Sequence, residues 1–243
     1  MAFLYQMPEA LILEEKMKER IFYTELAYIL GIALLAVGTA MMERADFGVS
    51  MVVAPAYLLY LKVSQNLPFF SFGMAEYMLQ GILLVMLILI LRKFRLAYLF
   101  SFATAVIYGF ALDGAMWVVG RISGTGVAFR LFFYVLGFLG CALGVSLLFH
   151  TYISPEVYEL WVKVMSRARG IDIHKYKTVY DCVSCLIAVV LSFLFFGFGH
   201  FEGVKIGTIF CALLNGYIIG LFARMLEKTW DFRDGLPLRS FFE

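Results

Sequence analysis

Six runs of about twenty mostly apolar residues constrain this chain more than any motif does. They fall at about 21–42, 69–91, 96–120, 131–149, 178–198 and 204–226. A helix rises about 1.5 Å per residue, so about twenty residues cross a hydrocarbon core about 30 Å thick. The composition agrees, with 63% of residues hydrophobic and 16% charged, against about 25% charged in soluble domains. The expectation is an all-α polytopic membrane protein. A net charge of +2 points to no nucleic-acid partner. The expected partners are the lipid bilayer and a small-molecule solute, with a homodimer as a further expectation.

The distribution of cations orients the spans. Residues 1–20 mix Glu14, Glu15, Lys16, Lys18, Glu19 and Arg20 and lack the order of a cleavable signal peptide. They read as a cytoplasmic amphipathic helix. With that end inside, fifteen Lys and Arg residues fall on inner segments and five on outer ones. The positive-inside rule then puts both termini in the cytoplasm, in the cell membrane of a prokaryote. The expected organisation is a cytoplasmic segment 1–20, membrane repeats 21–120 and 127–226, and a cytoplasmic tail 227–243.

One stretch departs from the pattern of full spans. From Arg44 to Leu58 the chain opens with a cation and an anion, then runs uncharged through Gly48 and Pro55. Its fifteen residues reach roughly 22 Å as a helix, too short to span. Such backbone is tolerated at membrane depth only where protein or water surrounds it, so the expectation is a re-entrant half-helix. A weaker echo follows about a hundred residues on. Gly38 lies six residues before Arg44, and Gly144 six before His150. Ser50 to Pro55 is echoed by Ser154, Pro155, Glu156 and Glu159. Glu76 and Asp181 each fall early in the next span, and Gly109 and Gly216 near the middle of the third. Three spans per half force opposite topologies. The expected architecture is therefore six transmembrane helices as two inverted three-helix repeats, each with a re-entrant half-helix after its first span.

Gly38-x5-Arg44-Ala45-x-Phe47-Gly48 resembles a glycine–arginine signature of the YczE/YyaS/YitT-type bacterial and archaeal integral membrane proteins. Gly203-Val-Lys-Ile-Gly207-Thr208-x7-Gly216 resembles their late segment, and Asp113 matches a carboxylate often carried late in their first half. The resemblance covers roughly residues 25–225 and implies this membrane fold. The chain departs at Met51, Val52 and Val53, where the pattern continues Pro-Trp-Asp. His150 stands where Arg is common, and Glu159 where the acidic residue falls.

Several polar residues sit where burial is costly. Arg44 has a planar fork suited to a carboxylate or phosphate, with Asp46 beside it; the alternative is a snorkelling Arg and a capping Asp. Asp113 lies deep in the third span with no cation between Arg95 and Arg121. An ionised carboxylate there costs several kcal/mol unless paired or wet, so it reads as a proton carrier or substrate ligand, or else as an interfacial residue. His150, Glu156 and Glu159 could relay protons, or lie on a solvated surface helix running 155–169. Asp181 reads as a cavity carboxylate or a first-turn residue favoured by the helix dipole. Asn215 reads as a cavity-lining group opposite Tyr108 and Gly109. Gly48, Pro55 and Pro155 would break the backbone into half-helices. Cys182 and Cys185 form one CxxC, short of the four ligands of a closed zinc site, and read as small packing residues.

No nucleotide-binding loop, HExxH, GxSxG or GxGxxG pattern occurs with suitable flanks. The reading is a non-enzyme without cofactor or metal, coupled to H+ or Na+ if coupled at all. The leading expectation is a secondary transporter or permease for a small polar or anionic solute, with its site at the repeat interface. Arg44, Asp46, Asp113, His150, Glu159, Asp181 and Asn215 would bind or couple. Two alternatives are a substrate-binding subunit of an energy-coupling-factor-type importer and a non-transporting accessory protein.

Overall fold

The computed structural model describes residues 20–124, 126–198 and 202–239; the expected N-terminal helix over residues 1–20 lies outside them but for Arg20. The described chain begins with strand β1 (Ile21–Tyr23) and helix α1 (Thr24–Ala45). Then come α2 (Ala54–Val63), α3 (Phe72–Leu91) and α4 (Leu96–Val119). The second half holds α5 (Val127–Phe149), α6 (Val157–Arg169), α7 (Ile173–Phe196) and α8 (Ile206–Thr229), followed by strand β2 (Asp231–Arg233). The helices α1, α3, α4, α5, α7 and α8 are long and apolar enough to cross a bilayer. They turn large apolar side chains such as Phe110 and Leu194 outward, both more than two-thirds exposed. The chain is a multi-pass membrane protein.

Local chemistry sets the boundaries. Ser71 caps α3 by accepting from the Met74 N–H, and the Asp172 carboxylate accepts from the His174 and Lys175 N–H groups at the start of α7, satisfying orphan donors. Asp46 at the end of α1 (φ 56°) and Gly170 at the end of α6 (φ 63°) are left-handed caps. Three boundaries correct the sequence reading. The fifth span begins at Ile173, not near 178, so Lys177 lies inside it rather than in a cytoplasmic loop. Residues 21–23 form a strand, because they pair in parallel with 231–233. Arg44 and Ala45 finish α1, residues 46–53 form no regular helix, and the short helix starts only at Ala54, with Pro55 in its first turn. Proline is tolerated there because its missing N–H has no intrahelical acceptor.

The β1–β2 pairing puts the segments before α1 and after α8 on one face, called here the proximal face. Thr24 Oγ1 donates to Asp234 at 3.0 Å, and the Gly235 and Leu236 N–H groups reach Glu25. Tyr152, in the α5–α6 connection, donates to Glu25 at 2.8 Å on the same face. On the distal face the loop after α1 is strapped to the start of α8. Gly207 N–H donates to Phe47 O at 3.0 Å, and Thr208 Oγ1 to Val49 O at 2.9 Å. Gly48 (φ 105°) faces Thr208 so closely that a Cβ would collide with its hydroxyl.

The antiparallel helices α1 and α5 form the closest helix pair. A Cβ on Gly38 would stand 2.6 Å from Gly137 O, and one on Gly144 would stand 2.7 Å from Gly31 O. Small residues at such crossings let backbones approach and gain dispersion contacts in a medium that supplies no hydrophobic drive. The two short helices fill the space between α3 and α7, each packing against both.

Candidate functional site

Both short helices begin at the same place. Val53 precedes α2 and Glu156 precedes α6, and both line a cavity of about 30 Å³, room for roughly two water molecules. Leu35 and Thr39 of α1, Cys141 and Val145 of α5, Tyr108 of α4 and Asn215 of α8 also line it. Leu35, Tyr108 and Asn215 lie near the middle of their helices, so the cavity sits deep between the faces. From it α2 runs toward Lys62, which donates to Phe195 O at the distal end of α7, while α6 runs toward the proximal face.

Around the cavity the sequence buries four acidic side chains and one basic one. Glu76 and Asp181 are 0% exposed, Lys177 1%, Glu156 2% and Glu159 4%. Lys177 Nζ lies 3.1 Å from Glu159 Oε1 and 3.3 Å from Asp181 Oδ1. Asn215 Nδ2 donates to Asp181 Oδ2 at 3.1 Å. A second branch joins Glu76 to Glu156. The Gln80 amide donates to Glu156 Oε2 at 2.9 Å and to Glu76 Oε2 at 3.5 Å, and Tyr158 donates to Glu76 Oε2 at 3.0 Å. Gln80 cannot flip without losing this arrangement, because its Oε1 accepts from the Val157 N–H at 3.0 Å. Glu76 Oε1, Glu156 Oε1 and Glu159 Oε2 have no hydrogen-bond partner among the described residues. The cluster therefore holds four carboxylates and one lysine, which pairs with two of them. Burying ions is costly unless they are paired and hydrogen-bonded, so this cluster must be held against a considerable penalty.

The expected site residues separate into three places. Glu159, Asp181 and Asn215 come together in the cluster. Arg44, Asp46 and Asp113 lie toward the distal face, apart from it. Arg44 donates to Ile122 O at 3.3 Å and does not pair with Asp46; Asp46 instead takes Arg130 at 3.0 Å and Lys205. Asp113 accepts from Ser71 Oγ at 2.7 Å and from Gly73 N–H at 2.9 Å, holding the start of α3. His150 lies on the proximal side, 3.2 Å from Glu227 and stacked on Phe232. A solvated-surface reading of Glu156 and Glu159 is corrected: Glu156, just before α6, and Glu159, in its first turn, are both buried where α6 packs onto α3 and α7. Cys182 and Cys185 are free thiols on α7, and Cys182 reaches Ala212 O at 3.8 Å.

Lys177, Gln80 and Tyr158 are the members that sequence reasoning did not single out. Asp172 carried the signal for Lys177. An N-cap aspartate there starts the helix early and puts Lys177 and Asp181 one turn apart on one face. No group of three or more His, Cys, Asp or Glu side chains is arranged to hold a metal ion among the described residues.

The chain belongs to the family of unknown function DUF6198, whose model matches residues 22–224. No curated protein and no solved structure matches it.

Proposed function

We propose that this chain is a secondary transporter or permease for a small polar solute, built as two inverted halves with the site at their interface. The observation that carries the reading is the burial of four carboxylates and one lysine where two short helices begin. Ionisable groups at membrane depth are expensive, and they mark solute or ion pathways by default.

Packing supports the two halves. The contact of Gly31 with Gly144 is repeated, 106 residues on, by that of Gly137 with Gly38. Gly73 meets Gly109 where α3 crosses α4, as Thr178 meets Gly216 where α7 crosses α8. Antiparallel helices that exchange equivalent contacts are related by an axis perpendicular to both. In a bilayer such an axis lies in the membrane plane, as in inverted-repeat transporters. On this reading α2 and α6 are re-entrant half-helices entering from opposite faces. The halves rock about the α1–α5 contact, exposing the cluster to each side in turn.

Carboxylates outnumber the lysine, which favours a neutral or cationic solute over the anionic one admitted by the sequence reading. Protons or sodium would balance the remaining charge. The proximal face carries Lys93, Arg95, Lys163 and Arg167, which supports reading it as the cytoplasmic side of a prokaryotic cell membrane. Kinship to the YczE/YyaS/YitT-type proteins belongs to the same reading.

A thermal-shift screen of detergent-purified protein tests it, using neutral, cationic and anionic metabolites at two pH values, with and without sodium. A ligand at about one hundred times its Kd stabilises the native state by about 2.7 kcal/mol. The expected result is a stabilising solute whose effect Glu156→Gln and Asp181→Asn abolish. A blank screen, or variants that respond like the native chain, overturns the proposal.

A further inference from the structure

A second concavity opens on the proximal face, separate from the central cluster. It measures about 700 Å³ and lies below the loop that leads from α5 into α6. Three segments far apart in the sequence line it with cations, Lys93 and Arg95 between α3 and α4, Lys163 and Arg167 on α6, and Arg239 after β2, and the His150 imidazole at the end of α5 stands beside them. Among the described residues no Asp or Glu lines it. Asp234 holds Arg239 at 2.8 Å and Glu227 holds His150 at 3.2 Å from outside that lining. Lys93, Arg95 and Arg167 form no ion pair among the described residues.

Topology alone does not require this arrangement. The positive-inside rule asks for cations on a face, not for their convergence on one hollow without a carboxylate. On α6, Lys163 and Arg167 stand one turn apart on the same helix face, with Leu160 and Val164 beside them. Like charges at that spacing repel by a few tenths of a kcal/mol. Hydroxyl donors border the same space at Tyr98, Thr151 and Ser154. Arginine forks and a nearby lysine ammonium are the donor set that suits a phosphate's several oxygens. The volume falls within the range of small-molecule sites.

We propose that this hollow binds a phosphate-bearing ligand, either the headgroup of an anionic phospholipid or a soluble phosphate compound. The site stands whether or not the chain transports a solute, since it uses none of the cluster residues.

The test is thermal stability of the full chain in non-ionic detergent at fixed ionic strength. Inorganic pyrophosphate is titrated in one arm, and short-chain phosphatidylglycerol in the other, with short-chain phosphatidylcholine as the zwitterionic control. Stabilisation by pyrophosphate identifies a soluble ligand, and stabilisation by phosphatidylglycerol alone identifies a lipid headgroup. Either response should weaken at least tenfold in concentration dependence in Arg95→Gln/Arg167→Gln and in the single, surface-exposed Arg167→Gln. It should be unchanged in Lys175→Gln, a cation on the same face outside the hollow. Each variant is accepted only if it elutes monodisperse with an unliganded melting point near the native one. If neither phosphate stabilises more than the control, or if Lys175→Gln loses as much as Arg167→Gln, the proposal fails.

Discussion

Lys177 and Asp181 face one another from successive turns of α7, 3.3 Å apart and both sealed from solvent. Glu159 closes the lysine's other side from α6, so one ammonium ties a short helix to a long one. Lys177→Met leaves two buried carboxylates without their cation. The expected cost is roughly 3–5 kcal/mol, read from denaturation in detergent, and Lys177→Met/Asp181→Asn should recover a good part of it. Equal stability of the single variant and the native chain would mean that the ammonium does not hold these elements together.

The α1–α5 contact leaves no room for a side chain. A Cβ on Gly38 meets Gly137 O at 2.6 Å, and the neighbouring Cys141 sulfur at 2.7 Å. Gly38→Val should force the helices apart and destabilise by about 1–3 kcal/mol. Gly126→Ala, where a Cβ meets nothing within 4 Å, should be neutral in the same assay.

Asp113 separates a capping role from a transport role. Its two acceptor bonds to Ser71 and Gly73 predict that Asp113→Ala costs about 1 kcal/mol of stability. Ligand stabilisation of the folded state should persist in this variant. Loss of ligand response without loss of stability would return Asp113 to the binding site.

Asp46 makes its ion pairs in the open, with its side chain 62% exposed. Exposed pairs are worth roughly 0–1 kcal/mol and weaken with salt. Asp46→Ala should therefore shift thermal stability slightly at low ionic strength and not measurably in 1 M salt.

Side-specific labelling checks the spans. In a variant lacking the four native cysteines, single cysteines at Arg233 and Lys93 should label from the same side of a sealed vesicle. One at Arg121 should label from the other.

The long helices were legible in the sequence because apolar length is a signal no loop imitates. The short helices were legible as interruptions, through Gly48, Pro55 and Pro155, although the first begins ten residues after Arg44. Asp181 and Asn215 stand out in the sequence because a carboxylate or an amide inside an apolar run is conspicuous. Lys177 was not, because a lysine beside Lys175 and His174 looks like the edge of a loop. Only the Asp172 cap, and the one-turn spacing to Asp181, convert that edge into helix interior. Gln80 and Tyr158 escaped for a different reason. Their importance lies in what they bridge across 76 and 82 residues of chain, which no local pattern encodes. Arg44, Asp46 and Asp113 read as costly to bury, yet Arg44 meets the Ile122 carbonyl, Asp46 meets the surface cations Arg130 and Lys205, and Asp113 meets the Ser71 hydroxyl and the Gly73 N–H.

The strand pair that joins the segment before α1 to the segment after α8 links groups 210 residues apart. Contacts of such separation close late. During synthesis Thr24 and Glu25 emerge long before Asp234 and Gly235, which follow the sixth of the described spans. Helix α1 is thus fastened by residues translated after α8, and a nascent chain halted short of β2 would hold these six spans with α1 still unlatched.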